Sequence, residues 1–222
     1  HRVSLLEAHN STFKYDIISL CETSLNETTK LPENILKGYN FYSLDHPSGE
    51  KKGGIGMFYK ETLPLKIRLD LSFEECLVSE LNFGRKKFFF TVLYRNPINK
   101  SNSPEFTDFL QIFEDLYNNI MKENPYTVFF TGDFNAKSLS WWTEGGNNDE
   151  GTHLENLFSE LNLTQIIKEH THLRENCQPT CIDIIITDQP NLVLDSGVRP
   201  SLDPTCKHQI TYCKINFSIP PP

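Results

Sequence analysis

The stretch Thr127-Val-Phe-Phe-Thr-Gly-Asp-Phe-Asn135 is the most informative segment of the chain. Its apolar and β-branched start, from Thr127 to Thr131, predicts a buried strand that runs directly into Gly132 and Asp133. Such a strand places the carboxylate of Asp133 and the amide of Asn135 together at its end. Asp133 can bind a metal or orient a water, and Asn135 can donate a hydrogen bond to a phosphate oxygen. Taken alone, the same residues fit an ordinary Asx turn equally well.

The segments on both sides of this strand predict an α+β domain. Apolar residues at helical spacing predict an amphipathic helix that begins at Pro104 and ends near Lys122. Shorter helices are predicted for Arg2–Phe13 and Thr152–Leu161. Further strands are predicted at Asp16–Cys21, Tyr39–Leu44, Ile55–Tyr59, Leu65–Leu69, Cys76–Phe83, Lys87–Tyr94, Ile182–Ile186 and Thr211–Phe217, and loops at Asn99–Ser103 and Thr143–Gly151. This order favours two sheets packed face to face with helices outside them.

The composition fits one folded domain and limits the kinds of partner. The chain has 222 residues, of which 38% are hydrophobic, and this is enough for a buried core. Its net charge of -8 argues against broad electrostatic binding of nucleic acid. An enzyme can still supply positive charge as a bound divalent cation and a few basic residues such as Arg95. No apolar run approaches the roughly 20 residues of a membrane span, so we expect no membrane association.

Six cysteines are scattered along the chain without the dense spacing of a disulfide framework. We therefore expect reduced thiols and an intracellular protein. A zinc site built from Cys177, Cys181, Cys206 and His208 is a less favoured alternative, because the spacing is irregular. The chain starts at His1 rather than Met and enters a predicted helix at once, so we expect it to be a segment of a longer protein.

Three further strand ends offer chemistry that matches Asp133. Glu22 follows the first predicted strand and provides a hard oxygen ligand of the kind that magnesium prefers. Asp183 provides a second carboxylate, and His208 precedes the last strand. A hydrogen bond from His208 to Asp183 would orient the imidazole toward a reacting water or phosphate. Each residue alone fits a surface or turn position, but four such strand ends together favour a catalytic site.

These motifs form an ordered set with a recognisable resemblance. The set comprises Cys-Glu-Thr at 21–23, Leu-Tyr-Arg-Asn-Pro at 93–97, Gly-Asp-Phe-Asn-Ala at 132–136, Ile-Asp-Ile-Ile-Ile-Thr at 182–187 and Lys-His-Gln-Ile at 207–210. It resembles the endonuclease/exonuclease/phosphatase superfamily, and within it the endonuclease domain of non-LTR (LINE-type) retrotransposons. The resemblance implies a four-layer α/β/β/α sandwich of the DNase I and exonuclease III type, lacking its first strand.

The resemblance also assigns expected roles to the first four site residues. Glu22 would bind the catalytic Mg²⁺, for which Mn²⁺ could substitute. Tyr94 would lie against the scissile phosphate. Asp133 would activate or orient the attacking water, and Asn135 would hold the phosphate beside it.

The remaining expected roles concern the histidine and the substrate. Asp183 would pair with His208. The histidine would either stabilise charge at the reacting phosphorus or remove a proton there. Arg95, Thr171 and Lys207 are expected substrate contacts. Lys207 stands where the superfamily usually has an aspartate, and a lysine cannot bind magnesium.

The resemblance further implies a setting for the reaction. The domain, at 1–217, would nick double-stranded DNA as a monomer to prime reverse transcription, which requires access to the nucleus. The Pro-rich segment at 218–222 would link it to a reverse transcriptase in the same polypeptide. An alternative, suggested by Lys207 and the missing strand, is an inactive domain that binds DNA or a protein. A less favoured one is a phosphatase of the same fold that acts on a lipid or small molecule.

Overall fold

The computed structural model describes residues 2–25, 31, 35–45, 53–97, 101 and 103–216. Three helices are α1 (Arg2–Phe13), α2 (Pro104–Met121) and α3 (Asp149–Glu160). The strands are β1 (Ile17–Cys21), β2 (Tyr39–Leu44), β3 (Ile55–Lys60), β4 (Leu65–Ile67), β5 (Cys76–Phe83), β6 (Lys86–Tyr94), β7 (Thr127–Asp133), β8 (Thr164–Gln165), β9 (Asp183–Thr187), β10 (Val193–Arg199) and β11 (Ile210–Ile215). Within these ranges, no helix is long and apolar enough to cross a membrane. The predicted linker at 218–222 lies outside the described residues.

The strands form one large sheet and two smaller ones. The six-stranded sheet has the order β4-β5-β6-β7-β9-β8, and β1-β3-β2 form a second, antiparallel sheet. Strands β10 and β11 form a separate antiparallel pair. In the large sheet β6 and β7 are parallel, and α2 supplies the crossover between them. As a result, Tyr94 and Asp133 lie side by side at the same end of these two strands.

The cores between these elements establish the order of the layers. Ile55 and Met57 of β3 are fully buried against Leu77 and Val92 of the six-stranded sheet. The other face of that sheet packs against α2 and α3 through a large aromatic cluster that includes Phe113 of α2. On the outer face of β1-β3-β2, residues of α1 and Phe58 form a third cluster. The predicted α+β class and the four-layer α/β/β/α arrangement are confirmed.

Most predicted elements are present, and the differences have local causes. Helix α3 begins at Asp149 rather than Thr152, because the Asn148 side chain accepts a hydrogen bond from the Gly151 main-chain nitrogen and caps the helix. The predicted loop at 143–151 therefore ends earlier. Strands β8 and β10 were not predicted. Strand β8 has only two residues, and β10 contains a register irregularity near Asp195 and a glycine, which both weaken an alternating pattern.

Candidate active site

The end of β7 brings Asp133 and Asn135 into a tight turn. Gly132 has a φ of 145°, and a Cβ there would lie 1.8 Å from the carbonyl oxygen of Leu93, so only glycine fits. The Asn135 main-chain nitrogen donates to Oδ1 of Asp133 at 2.9 Å, and Asn135 has a left-handed φ of 47°. The segment is thus an Asx turn, as its composition allows. The same turn orients a carboxylate that is only 5% exposed.

Asp183 and His208 lie next to Asp133. Strands β7 and β9 are antiparallel, and Asp133 and Asp183 stand opposite each other in the register. Because paired residues of neighbouring strands project to the same face, both carboxylates lie on one side of the sheet. His208 Nδ1 lies 3.0 Å from both carboxylate oxygens of Asp183. The predicted pairing of Asp183 with His208 agrees with this geometry.

Glu22 approaches from the other sheet. It follows β1 with a left-handed φ of 52°, and its Oε1 accepts a hydrogen bond of 2.7 Å from the hydroxyl of Tyr94. Tyr94 packs with Val92 in the core between the two sheets. The site therefore lies where the two sheets meet, and it combines side chains from both.

The pKa values of Asp133 and His208 are both raised above their usual range. Burial, followed by the charge of Asp183, raises the pKa of Asp133 to about 7, while the charge of His208 opposes this rise. The hydrogen bond that His208 donates to Asp183 raises the pKa of His208 to about 9, against the effect of burial. The negative charge of Asp183 thus favours the protonated form of both groups.

The donor set fits a divalent cation. One ligand atom each from Asp133, Asp183 and His208 can be chosen so that all lie within 4.8 Å of one another. Glu22 is close enough for its charge to contribute to the raised pKa of Asp133. Since buried carboxylates that repel each other gain most from a cation, the chemistry of this edge matches a hard metal ion.

Arg95 and Thr171 do not take the predicted places at the substrate surface. Arg95 is 2% exposed, and its guanidinium donates to the carbonyl oxygens of Phe134 and Asn135, both at 2.5 Å. In return, Nδ2 of Asn135 donates to the carbonyl oxygen of Arg95 at 2.8 Å. Thr171 is fully buried, and its hydroxyl accepts from the main-chain nitrogens of Ile182 and Asp183. Both residues position a site residue from inside the protein, which does not fit the predicted contact with substrate.

Lys207 and the cysteines considered for zinc are not members of this donor group. The Lys207 side chain is exposed, and its carbonyl oxygen accepts from the Leu173 main-chain nitrogen. Of the cysteines considered for zinc, Cys181 is buried and contacts the Ile167 carbonyl oxygen, whereas Cys177 and Cys206 are exposed. The group that could hold a metal among the described residues contains no cysteine, so the zinc alternative has no support there.

Comparison with known proteins identifies the family. The model of the endonuclease/exonuclease/phosphatase family matches residues 2–205, which is most of the chain. The chain belongs to this family. No curated protein matches the sequence.

Solved structures of the family share the fold. The endonuclease domain of TRAS1, a telomere-specific non-LTR retrotransposon, is 17% identical with a TM-score of 0.76, covering 98% of this chain and 93% of that domain. An AP endonuclease from Leishmania major is 13% identical with a TM-score of 0.77, covering 93% and 80%. The 3′ phosphatase NExo from Neisseria, bound to a product DNA hairpin, is 16% identical with a TM-score of 0.72, covering 97% and 95%. The predicted resemblance to the family is confirmed by the family match, and these structures show that the fold is shared.

Two residues beside the family site were not predicted. The ring centroids of His172 and His208 are 4.7 Å apart, and the main chains of the two residues form a β-bridge. Burial and the charge of His208 lower the pKa of His172. The second residue, Glu75, precedes β5, and its Oε1 accepts from the main-chain nitrogen of Gly54 at 3.0 Å. The sequence gives only weak signals for both residues, because a His-Thr-His stretch and a pair of glutamates are just as common on loops that have no functional role.

Proposed function

We propose that the chain is a metal-dependent phosphodiesterase that nicks double-stranded DNA. The observation behind the proposal is the group of Asp133, Asp183 and His208 at the sheet edge, with Glu22 and Tyr94 hydrogen-bonded beside it. Buried carboxylates next to an imidazolium suit the attack of water on a phosphate diester. Mg²⁺ is the expected cation and Mn²⁺ a substitute, because the donors are mainly carboxylate oxygens.

Glu22 would hold the cation, and the charge of this carboxylate already acts on Asp133. The bound ion would neutralise the phosphate and polarise its P–O bonds. The hydrogen bond from Tyr94 fixes the Glu22 carboxylate. Burial and the negative charge of Glu22 raise the pKa of Tyr94, so its hydroxyl remains a donor at every physiological pH.

Asp133 is the best candidate for the general base. A base works best when its pKa lies near the operating pH, and the pKa of Asp133 is about 7. It would take a proton from a water that attacks the phosphorus in line with the departing 3′ oxygen. Asn135 keeps one amide hydrogen for the phosphate, because an amide nitrogen carries two and one is donated to Arg95.

His208 is best suited to stabilise negative charge. Its pKa of about 9 means that it is protonated near neutral pH and cannot accept a further proton. Nδ1 faces Asp183, so the Nε2–H group is the one that can donate to a phosphate oxygen. Of the two predicted roles, stabilisation is therefore favoured over deprotonation.

Relaxation of supercoiled plasmid by purified protein in Mg²⁺ tests the proposal. We expect nicked circles with wild type and a loss of about 100-fold or more with Asp133→Ala and with His208→Ala. Asp108→Ala and His153→Ala are matched controls, because both residues are exposed on helices and should leave nicking unchanged. Equal nicking by all five proteins would contradict the assignment of the site.

Two other outcomes would redirect the proposal. DNA binding without nicking, even when Lys207→Asp is introduced, would favour the inactive binding domain. Phosphate release from a phosphorylated small molecule or DNA end, without nicking, would favour a phosphatase. A structural neighbour that is a 3′ phosphatase makes the second assay worthwhile.

We further propose that the nick primes reverse transcription in a retrotransposon and that the domain acts in the nucleus as a monomer. Similarity to the TRAS1 endonuclease domain supports this setting. A reverse transcriptase would then follow in the same polypeptide. Sequencing the complete reading frame tests this directly, and a frame that continues into an unrelated domain would contradict it.

A further inference from the structure

Glu75 lies at the junction of the two sheets, outside the group of site residues described above. It immediately precedes β5 of the six-stranded sheet and has a left-handed φ of 58°. Its side chain extends to the other sheet, where Oε1 accepts the 3.0 Å hydrogen bond from the Gly54 main-chain nitrogen. Gly54 immediately precedes β3, and Ile55 of that strand pairs with Cys21 of β1. The carboxylate thus connects the start of β5 to the start of β3.

Gly54 in turn positions the segment that contains Glu22. The Gly54 carbonyl oxygen accepts from the Thr23 main-chain nitrogen at 3.0 Å, and the Gly53 carbonyl oxygen accepts from Ser24 at 2.9 Å. These bonds hold the two residues that directly follow Glu22. The conformation of the Glu22 main chain therefore depends on where Gly54 lies.

The main chain of Glu75 contacts β6, the strand that contains Tyr94. The Tyr94 main-chain nitrogen donates to the Glu75 carbonyl oxygen at 2.9 Å, and the Tyr94 hydroxyl donates to Glu22. The contacts form a closed ring that passes from Glu75 to Gly54, Thr23, Glu22, Tyr94 and back to Glu75. The ring contains two side-chain hydrogen bonds, one between Tyr94 and Glu22 and one between Gly54 and Glu75. Breaking the second bond opens the ring.

Backbone conformation in the ring is unusual. Glu22 and Glu75 in the ring have φ values of 52° and 58°, and Ser24 next to the ring has a φ of 53°; such values are unfavourable for residues with a side chain. Such conformations persist only where surrounding contacts hold them. The ring supplies contacts of this kind on both sides of Glu22.

We propose that Glu75 is a positioning residue that holds Glu22 in place for cation binding. This inference rests on the proposed function, because it assigns Glu75 a role toward the cation that Glu22 would bind. Residues that orient a metal ligand typically contribute 10-fold to 100-fold to metal affinity. The role requires a hydrogen-bond acceptor at Oε1 and does not require the negative charge.

Three substitutions test the inference. Glu75→Ala removes the acceptor, Glu75→Asp withdraws it by one methylene, and Glu75→Gln keeps an acceptor oxygen without the charge. We expect the Mg²⁺ dissociation constant, measured by calorimetry, to rise about 10-fold to 100-fold in the first two and less than about 3-fold in Glu75→Gln. Glu74→Ala is the matched control, because Glu74 is its exposed neighbour. If Glu75→Ala fails to fold, Glu75→Asp carries the comparison.

Hydrogen exchange at the Gly54 amide provides a readout that does not depend on activity. By NMR, we expect faster exchange of this amide in Glu75→Ala and Glu75→Asp, and near-normal protection in Glu75→Gln. Unchanged exchange and unchanged Mg²⁺ affinity in all three variants would overturn the inference. Equal weakening of Mg²⁺ binding in Glu75→Gln and Glu75→Ala would also overturn it, because charge rather than hydrogen bonding would then matter. A wild type that binds Mg²⁺ but never nicks DNA would contradict only the proposed function.

Discussion

Acidic side chains lie at both ends of the strands in the six-stranded sheet, but the described residues pair them differently at the two ends. At the start of β6, Arg68 donates to Glu80 at 2.5 Å and to Glu123 at 3.0 Å, and Lys87 donates to the other oxygen of Glu123 at 2.7 Å. The hydrogen bonds from Lys87 and Arg68 lower the pKa of Glu123. Acids at this end are therefore ionised and neutralised by the protein itself.

At the other end of β6, the balance of charge is reversed. Among the described residues, His208 is hydrogen-bonded to Asp183, and Glu22 adds a third carboxylate whose charge acts on Asp133. The pKa of Asp133 rises to about 7 instead of falling. The difference teaches that one end is an ion network within the chain, whereas the other has the charge balance expected of the proposed cation site.

The largest effect is expected when the buried acid at the catalytic end is neutralised. Asp133→Asn should reduce nicking by about 100-fold or more, because the amide cannot take a proton from water. Since the pKa of Asp133 is raised on folding, its favourable contribution exists at low pH and is lost as pH rises through about 7. The variant should therefore melt at a higher temperature than wild type at pH 8 without metal, and at a similar one at pH 4. Equal melting temperatures at pH 8 would show that burial of the charge costs little.

The next largest effect is expected from the opposite end. Arg68→Met leaves Glu80 buried without its cation, so the free energy of unfolding should fall by about 3 kcal/mol in urea titrations. Nicking per folded molecule should change less than about 2-fold, because the substitution lies at the far end of the strands. A large loss of nicking at a temperature where the variant is fully folded would contradict the separation of the two ends.

Binding of Mg²⁺ should have a somewhat smaller effect on stability. This effect should depend on residues at only one end of the sheet. At 100 times its dissociation constant, Mg²⁺ should stabilise wild type by about 2.7 kcal/mol, which is measurable as a rise in melting temperature. The Arg68→Met variant should show the same increment, whereas Glu22→Gln should lose most of it. If this increase in stability remained in Glu22→Gln but disappeared in Arg68→Met, the cation would bind near Arg68 rather than near Glu22.

The smallest effect is expected from Lys207→Asp. Lys207 is exposed, and interactions between exposed charges contribute about 0 to 1 kcal/mol. Mg²⁺ affinity should therefore increase by less than about 5-fold in calorimetric titrations, and the nicking rate should change by a similar factor. A gain of 100-fold would mean that Lys207 suppresses the site in the natural sequence.

The sequence predicted the site at the level of strand ends. Asp133, Asp183 and Glu22 each follow or begin an apolar run, and a run of that kind is visible without any knowledge of tertiary contacts. It could not show that strands β7 and β9 align Asp133 with Asp183, because register depends on pairing between segments about 50 residues apart. The family resemblance implied the pairing of Asp183 with His208 but not this register.

The expectations from the sequence do not fit the structure at residues whose role depends on the direction of the side chain. Arg95 follows a strand in a polar segment, which is typical of an exposed basic residue. Its burial depends on the carbonyl oxygens of a turn about 40 residues later, and no local pattern encodes that partner. Thr171 and Glu75 are similar cases, since each serves the site through main-chain groups of a distant segment.

The location of Glu22 on a different sheet from Asp133 and Tyr94 has a consequence for engineering. A shortened protein that kept only β4 to β9 and helices α2 and α3 would retain Asp133, Asp183 and Tyr94 but would lose Glu22 and also His208. If the proposed activity is present, the smallest active unit must therefore contain both sheets, and a protein split between β3 and β4 should be active only when the two fragments reassemble.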